Sequence, residues 1–127
     1  METNFNFKSQ PCTSREQSER LLALGLKKMT ADMNWCNASV KGKNYQDDWQ
    51  LGTLPYYNAL QVWDNYAKDS CWQLIPAWSL HRLIEMRLAH DPFAVFQLNN
   101  TEDAFEKVIS HIEHAIKEGY FNQEYLL

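Results

Sequence analysis

Residues 75–86 read IPAWSLHRLIEM, and they predict the entry into the most apolar helix of the chain. Pro76 lacks an N–H and has its φ fixed near the helical value, so it suits the approach to a helix or its first turn. Ser79 is a capable N-cap just beyond it. We therefore expect a helix that begins between Pro76 and Ser79.

The spacing of the apolar residues in this helix defines one buried face. The aliphatic residues that recur at the helical period are Leu80, Leu83, Ile84 and Leu88. The same period turns Arg82, Glu85 and Met86 away from the core. Arg87 falls within the apolar arc near the helix end. We interpret it as a snorkelling arginine, against the alternatives of a cap or a carboxylate partner.

Length and composition predict one globular domain over residues 1–127, with residues 1–11 as a flexible lead-in or an edge strand. Apolar residues make up 45% and charged residues 22%, which is typical of a soluble folded chain. The net charge of -4 argues against a protein that binds nucleic-acid phosphates, because such binding relies on clustered Lys and Arg. No apolar run approaches the roughly 20 residues that cross a bilayer.

The cysteines and the first residues predict a cytoplasmic protein. Cys12, Cys36 and Cys71 are odd in number and far apart, which favours reduced thiols over a disulfide framework. The opening METNF has neither a basic start nor an apolar core, so it does not resemble a signal peptide.

Two further helices have recognisable ends. A capping box at residues 13–16, built from Thr13 and Glu16, predicts a helix over 14–24 that ends in a Schellman turn at Gly25, with Leu26 as its apolar contact. The last helix is capped by residues 101–103 and ends at Gly119, with Tyr120 as the following apolar contact. Its core stripe consists of Phe105, Val108, Ile109, Ile112 and Ile116. The apolar residues of 121–127 should pack on the chain's own core or on a second subunit.

The remaining elements are predicted as strands and turns. Apolar residues alternate at Ala31, Met33 and Trp35, which indicates an extended segment. The other assignments are a loop or hairpin turn over 40–52, a strand or short helix opening at 54–57, a helix or irregular segment over 57–66, and strands at 71–75 and 93–98. The fold class that follows is α+β, with about three main helices packed on a small antiparallel β-sheet.

Histidines are the only clustered side chains that could bind a metal. His111 and His114 are spaced i, i+3, but a catalytic zinc site would need another ligand. The helical period places both outside the core stripe, and the pair lacks the i, i+4 spacing with an intervening Glu that zinc proteases use. His81 sits at the border of its helix. We therefore predict no catalytic residue, no metal site and no cofactor.

Aromatic residues make up 13% of the chain, and some of them are candidates for a binding surface. Tryptophan rings serve as interface anchors as well as core residues. We predict binding residues at Asp32, Trp35, Trp49 and Trp78, with Trp49 the most exposed ring. The neighbouring pair Asp47-Asp48 is interpreted as a solvated turn.

Several segments together resemble a known group of proteins. They are TSREQS at 13–18 with Leu21-Leu22 and Gly25-Leu26, TADM at 30–33, IPAWSL at 75–80 with Leu83-Ile84-Glu85, and Asp103-Ala104 at the start of the last helix. This pattern resembles a family of small uncharacterised proteins of phages, prophages and mobile elements of gut bacteria. Family members usually follow the central helix with a longer hairpin than residues 93–100 allow. The resemblance implies a biological context but no established activity, cofactor or catalytic residue.

Three functional hypotheses follow. The first is a phage-type accessory protein of the host bacterial cytoplasm, a non-enzymatic module that binds an unknown protein partner or self-associates as a homodimer. The alternative is a small-ligand- or metal-binding enzyme that uses His111, His114 or His81. Nucleic-acid binding would need a basic face formed by Lys27, Lys28, Lys41 and Lys43, and the net negative charge disfavours it.

Overall fold

The computed structural model describes residues 10–37, 49–63, 73–89 and 103–127. Its helices and strands are α1 (Arg15–Ala23), β1 (Met33–Asn37), β2 (Trp49–Gly52), α2 (Tyr56–Val62), β3 (Gln73–Ala77), α3 (Leu80–Leu88) and α4 (Ala104–Glu118). Short 3₁₀ turns occur at Lys28–Thr30 and Gln123–Tyr125. The predicted α+β class is confirmed, with four α-helices and a three-stranded antiparallel sheet in the described residues.

The sheet has the order β2-β1-β3, so β1 lies in the centre. Asn34 of β1 is opposite Gly52 on one side and Pro76 on the other. Pro76 therefore belongs to a strand and not to the approach of a helix. Since proline cannot donate to a β-ladder, it is tolerated because β3 is an outer strand of the described sheet.

The central strand buries different residues from those that the alternation predicted. Its extended conformation is confirmed, but Asn34 and Asn37 are buried while Met33 and Trp35 are only partly so. Strand alternation places Asn34 on the face where α2 packs, and Trp35 on the opposite face. The hydropathy pattern of β1 could not predict which of its two faces is more buried, because other parts of the chain cover both faces of a central strand.

The N-cap of α1 lies one residue later in the chain than predicted. Ser14 is the N-cap, and the reciprocal partner in its capping box is Gln17 and not Glu16. The predicted Schellman turn is confirmed, since Gly25 has a φ of +102° and the Leu26 N–H donates to the Leu21 carbonyl at 3.2 Å.

Helix α3 begins as predicted, and Ser79 Oγ accepts a hydrogen bond from the Arg82 N–H at 3.1 Å. Its buried face is rotated from the predicted one, because Met86 and Arg87 are only 2% and 8% exposed. Helix α4 packs against α3 and draws this side of the helix inward. Arg87 is therefore a buried residue and does not snorkel.

Helix α4 carries the predicted stripe and packs against both α3 and α1. Its cap is Asp103, whose carboxylate accepts from the Phe105 N–H at 2.9 Å. Glu106 joins α4 to α1 because it accepts hydrogen bonds from Gln17 and Arg20. Both hydrogen bonds lower the pKa of Glu106, and the one from Gln17 has the larger effect.

The segment after α4 packs on the chain's own core, which was one of the two predicted outcomes. Gly119 ends the helix with a φ of +80°. Tyr120 is half exposed, and Phe121, at 3% exposed, enters the core in its place. Farther on, Leu126 forms a β-bridge with Leu26, and the Lys27 N–H donates to the Tyr125 carbonyl at 2.8 Å.

Several predictions fall outside the described residues. These are the lead-in before residue 10, the turn around Asp47-Asp48, the start of the strand at 71–75, the strand at 93–98, and the first part of the cap at 101–103. In the part of the chain that the structure describes, no helix is long and apolar enough to span a membrane.

The cysteines correct the expectation of three reduced thiols. Cys36 of β1 is disulfide-bonded. Cys12 is a free and fully buried thiol. Number and spacing along the sequence could not reveal the disulfide, because they carry no information about which segments the sheet brings together.

We expect alkylation of the denatured protein to modify Cys36 only after reduction, whereas Cys12 is modified with or without a reductant. A disulfide sulfur does not react with an alkylating agent, whereas Cys12 becomes accessible on unfolding. Intact-mass spectrometry counts the added groups. Three modifications without reductant would contradict the disulfide.

Candidate functional site

Residues of the segments 13–18, 30–33 and 75–80 meet at one junction, centred on Thr13 and Trp78. The Thr13 N–H donates to the Trp78 carbonyl at 2.8 Å, and the Trp78 N–H donates to Thr13 Oγ1 at 3.0 Å. Thr13 Oγ1 also shares a hydrogen bond of 2.8 Å with Ser18 Oγ. The start of α1 is thereby fixed to the connection between β3 and α3.

Trp78 is completely buried, so it does not lie at the surface where a binding residue was predicted. Its indole Nε1 donates to Thr30 Oγ1 at 2.9 Å, and Thr30 Oγ1 donates to the Lys27 carbonyl at 2.7 Å. A buried indole N–H needs such a partner to avoid a desolvation cost. The ring therefore acts as a core residue that also ties the 3₁₀ turn into the junction.

Asp32 extends the cap of α3. Its two carboxylate oxygens accept from the Ser79 N–H, at 2.8 Å, and from the Ser79 hydroxyl. Ser79 in turn accepts from the Arg82 N–H, so the chain of hydrogen bonds ends at the helix N-terminus. A negative charge at this end of a helix is favourable. The geometry assigns Asp32 a capping role.

The two remaining predicted binding residues also have structural partners. The Trp35 indole Nε1 donates to the Thr13 carbonyl at 2.8 Å, on the side of the sheet that faces the start of α1. The Arg15 guanidinium lies 4.5 Å from the centre of the Trp49 ring, a cation–π contact. Trp49 is only half-buried, and Trp49 Nε1 has no hydrogen-bond partner in the structure as described. Whether any of the four predicted residues binds a partner stays a prediction.

The junction is not arranged for nucleophilic chemistry. Cys12 lies beside it, and burial, followed by the charge of Asp32, raises the pKa of the Cys12 thiol to about 11. A thiol with that pKa stays protonated at neutral pH, and the thiolate is the reactive form. Cys12 is therefore an inert core residue in this environment.

The three histidines that the structure describes do not converge on a cavity. His81 and His114 are exposed, and His111 is half-buried on α4. Burial, and then the positive groups Lys107, Arg87 and His114, lower the pKa of His111. The residues that the structure describes contain no group of three or more His, Cys, Asp or Glu side chains placed to hold a metal ion.

An apolar groove lies beside the turn that ends α1, and we call it the Met29 groove. Its volume is about 460 Å³, and it is lined by Leu22, Leu26, Lys27, Lys28, Met29 and Leu127. Met29 is 67% exposed, which is unusual for so large an apolar side chain. Sequence reasoning missed this groove. Its one local signal was an apolar Met29 directly after two lysines and past the end of a helix.

No protein-family model, no curated protein and no solved structure matches this chain. The arguments for its function therefore rest on its own geometry and chemistry.

Replacing Thr13 with Val should lower the free energy of unfolding by about 1–3 kcal/mol, because the buried Trp78 N–H loses its acceptor without a change in side-chain shape. Urea unfolding followed by circular dichroism measures the change. Thr53→Val, at an exposed position, is the matched control and should stay within about 0.5 kcal/mol of the original. Equal stability of the two variants would contradict the role of Thr13.

We expect His111 to make the protein less stable in acid. Its pKa is lower in the folded state than its usual value of 6.5, so the unfolded chain takes up the proton first. The stability is complete above pH 6.5 and is lost as the pH falls from there towards the folded-state pKa. His111→Gln should flatten this part of the pH–stability curve, whereas Ser110→Ala, on the same helix, should not. Identical slopes for wild type and His111→Gln would refute the prediction.

Proposed function

We propose that this protein is a non-enzymatic accessory module that binds another protein at the Met29 groove. The observation that carries the proposal is the exposure of Met29 inside an apolar groove. Contiguous exposed apolar surface on a folded domain commonly marks an interaction site. Methionine is suited to such a role, because its flexible and polarisable side chain adapts to different partners.

The backbone around the groove is held in place. The Leu26 N–H donates to the Leu21 carbonyl in the turn that ends α1, and the Leu127 N–H donates to the Gly25 carbonyl at 2.8 Å. The Leu26–Leu126 bridge fixes the same region to the segment after α4. Because the backbone of the groove is already fixed, it loses little conformational entropy when a partner binds, which favours affinity.

Charge defines the kind of partner that fits. Lys27 and Lys28 flank the apolar floor, and Lys28 is exposed. A partner that places an apolar side chain in the groove and carboxylates beside it would satisfy both features. We therefore propose a partner protein whose docking segment is apolar at its centre and acidic at its edges. A second copy of this chain is the competing occupant.

The alternative of an enzyme that uses histidines gains no comparable support. It requires the histidines to line a cavity, and His81, His111 and His114 are absent from the lining of the Met29 groove. Nucleic-acid binding would need a basic face formed by Lys27 and Lys28 together with Lys41 and Lys43. Lys41 and Lys43 lie outside the described residues.

We further infer that the protein is phage-related and acts in the cytoplasm of a host bacterial cell. The phage context rests on the sequence resemblance, and the compartment was also predicted from the number and spacing of the cysteines. The Cys36 disulfide weighs against this compartment, because disulfides persist mainly in oxidising environments. The thiol state of Cys36 in intact cells decides the matter: a reduced thiol supports the cytoplasm, and a retained disulfide overturns it.

Selection from a phage-displayed library of random 12-residue peptides tests the function without a known partner. We expect the enriched peptides to carry an apolar anchor flanked by Asp or Glu. Met29→Asp should weaken binding of such a peptide at least about tenfold, because it places a charge in the apolar contact. Tyr120→Asp, a change at another half-exposed apolar residue, is the matched control and should not alter binding.

Native mass spectrometry of the same variants shows whether the Met29 groove is occupied by a partner protein or by a second copy of this chain. A monomer whose peptide binding depends on Met29 supports the partner protein. A dimer that Met29→Asp dissociates replaces the partner with a second copy of the chain. Peptides without acidic residues, or binding that survives Met29→Asp, would overturn the proposal.

A further inference from the structure

A second cavity, of about 380 Å³, lies between α2 and the sheet, and we call it the α2 cavity. Asn34 and Leu74 contribute to it from the sheet, and Ala59 and Val62 contribute from α2. Among the described residues that line it, none carries a charge. Its volume and its largely apolar lining are typical of sites for small molecules.

The most buried polar side chain that lines this cavity, among the described residues, is that of Asn34, which is only 4% exposed. Asn34 Nδ2 donates to the Leu54 carbonyl at 3.0 Å. Because a carbonyl can only accept, this contact fixes which end of the amide is the nitrogen and which is the oxygen. The orientation of the amide is therefore determined.

Glycine at position 52 makes room for this amide. Gly52 is opposite Asn34 in the β1–β2 pair. A Cβ atom at position 52 would lie 2.6 Å from Asn34 Nδ2 and closer still to Asn34 Oδ1, which leaves no space for any side chain. The amide thus occupies the space that a side chain on β2 would otherwise fill.

The oxygen of the amide is the group left to recognise a ligand. Asn34 Oδ1 accepts no hydrogen bond from the residues that the structure describes, whereas Nδ2 is already engaged. A nearly buried acceptor in an apolar cavity gains from a donor that reaches it. Cys36 also lines the cavity, but its sulfur is in a disulfide and offers no thiol.

We propose that the α2 cavity binds a small neutral molecule with an apolar body and one N–H or O–H donor, which bonds to Asn34 Oδ1. The ligand is neutral because the lining residues that the structure describes supply no opposite charge to offset the desolvation of an ion. This binding site is separate from the Met29 groove and does not depend on the function proposed for it.

A pair of probes of nearly equal shape tests the proposal: indole, which carries an N–H donor, and 1-benzothiophene, which carries none. We expect titrations followed by protein NMR to show saturable binding of indole, with the largest shifts at residues of the cavity. Benzothiophene should bind about 3- to 10-fold more weakly, the loss expected for one neutral hydrogen bond. Equal affinities, or no saturable binding of either probe, would overturn the proposal.

Variants locate the bound probe. Ala59→Leu extends a side chain into the α2 cavity and should weaken indole binding at least tenfold, about 1.4 kcal/mol. Asn58→Leu, at the adjacent exposed position of α2, is the matched control and should bind indole normally. Unchanged binding in folded Ala59→Leu would count against the site.

Two further variants test the role of Asn34 and the separation of the α2 cavity from the Met29 groove. Gly52→Ala displaces the Asn34 amide, so it should remove the preference for indole over benzothiophene; a preference that persists in the folded variant would refute the role of Asn34. Met29→Asp should leave indole binding unchanged. Loss of indole binding in that variant would place the probe in the Met29 groove and overturn the assignment to the α2 cavity.

Discussion

The exchange of hydrogen bonds between Thr13 and Trp78 holds the described part of the molecule together. Thr13 takes part in four hydrogen bonds, which reach Trp78, Ser18 and Trp35. Through them the start of α1, the central strand and the connection into α3 share one small buried region. The fully buried Trp78 then links this region to the hydrophobic core and, through Thr30, to the 3₁₀ turn. Few of these contacts are local, so the junction forms only when the chain has folded.

The polar residues of this junction carry no visible chemistry, because they have structural partners. Thr13, Asp32 and Ser79 are residue types that also occur in active sites, but here their polar atoms satisfy backbone groups and helix ends. Such a pattern preserves a fold and leaves the surface unspecified. The two apolar openings are lined by other residues. One surrounds Met29, and the other lies under α2.

Local signals in the sequence were sufficient for the C-terminal ends of α1 and α4. Gly25 and Gly119 both adopt the left-handed conformation that their positions predicted, and the stripe of α4 is buried because its period is helical. Predictions failed where a distant segment decides the outcome. Met86 and Arg87 are buried because α4 packs beside them, and Asn34 is buried because α2 covers its face of the sheet. The candidate sites were not predictable for the same reason, since a groove or cavity is defined by residues far apart in sequence.

The pairing of Asn34 with Gly52 also bears on how the sheet chooses its alignment. A shift of one residue between β1 and β2 would place Leu51 or Thr53 opposite Asn34, and the Cβ of either residue would collide with the amide. The shift would also separate Asn34 Nδ2 from the Leu54 carbonyl. Short strands with mixed polarity are prone to slipping, because their hydrophobic pattern defines the alignment only weakly. In this sheet a single amide over a single glycine excludes the neighbouring alignments, so the chain gains a unique strand register at the cost of a buried polar group.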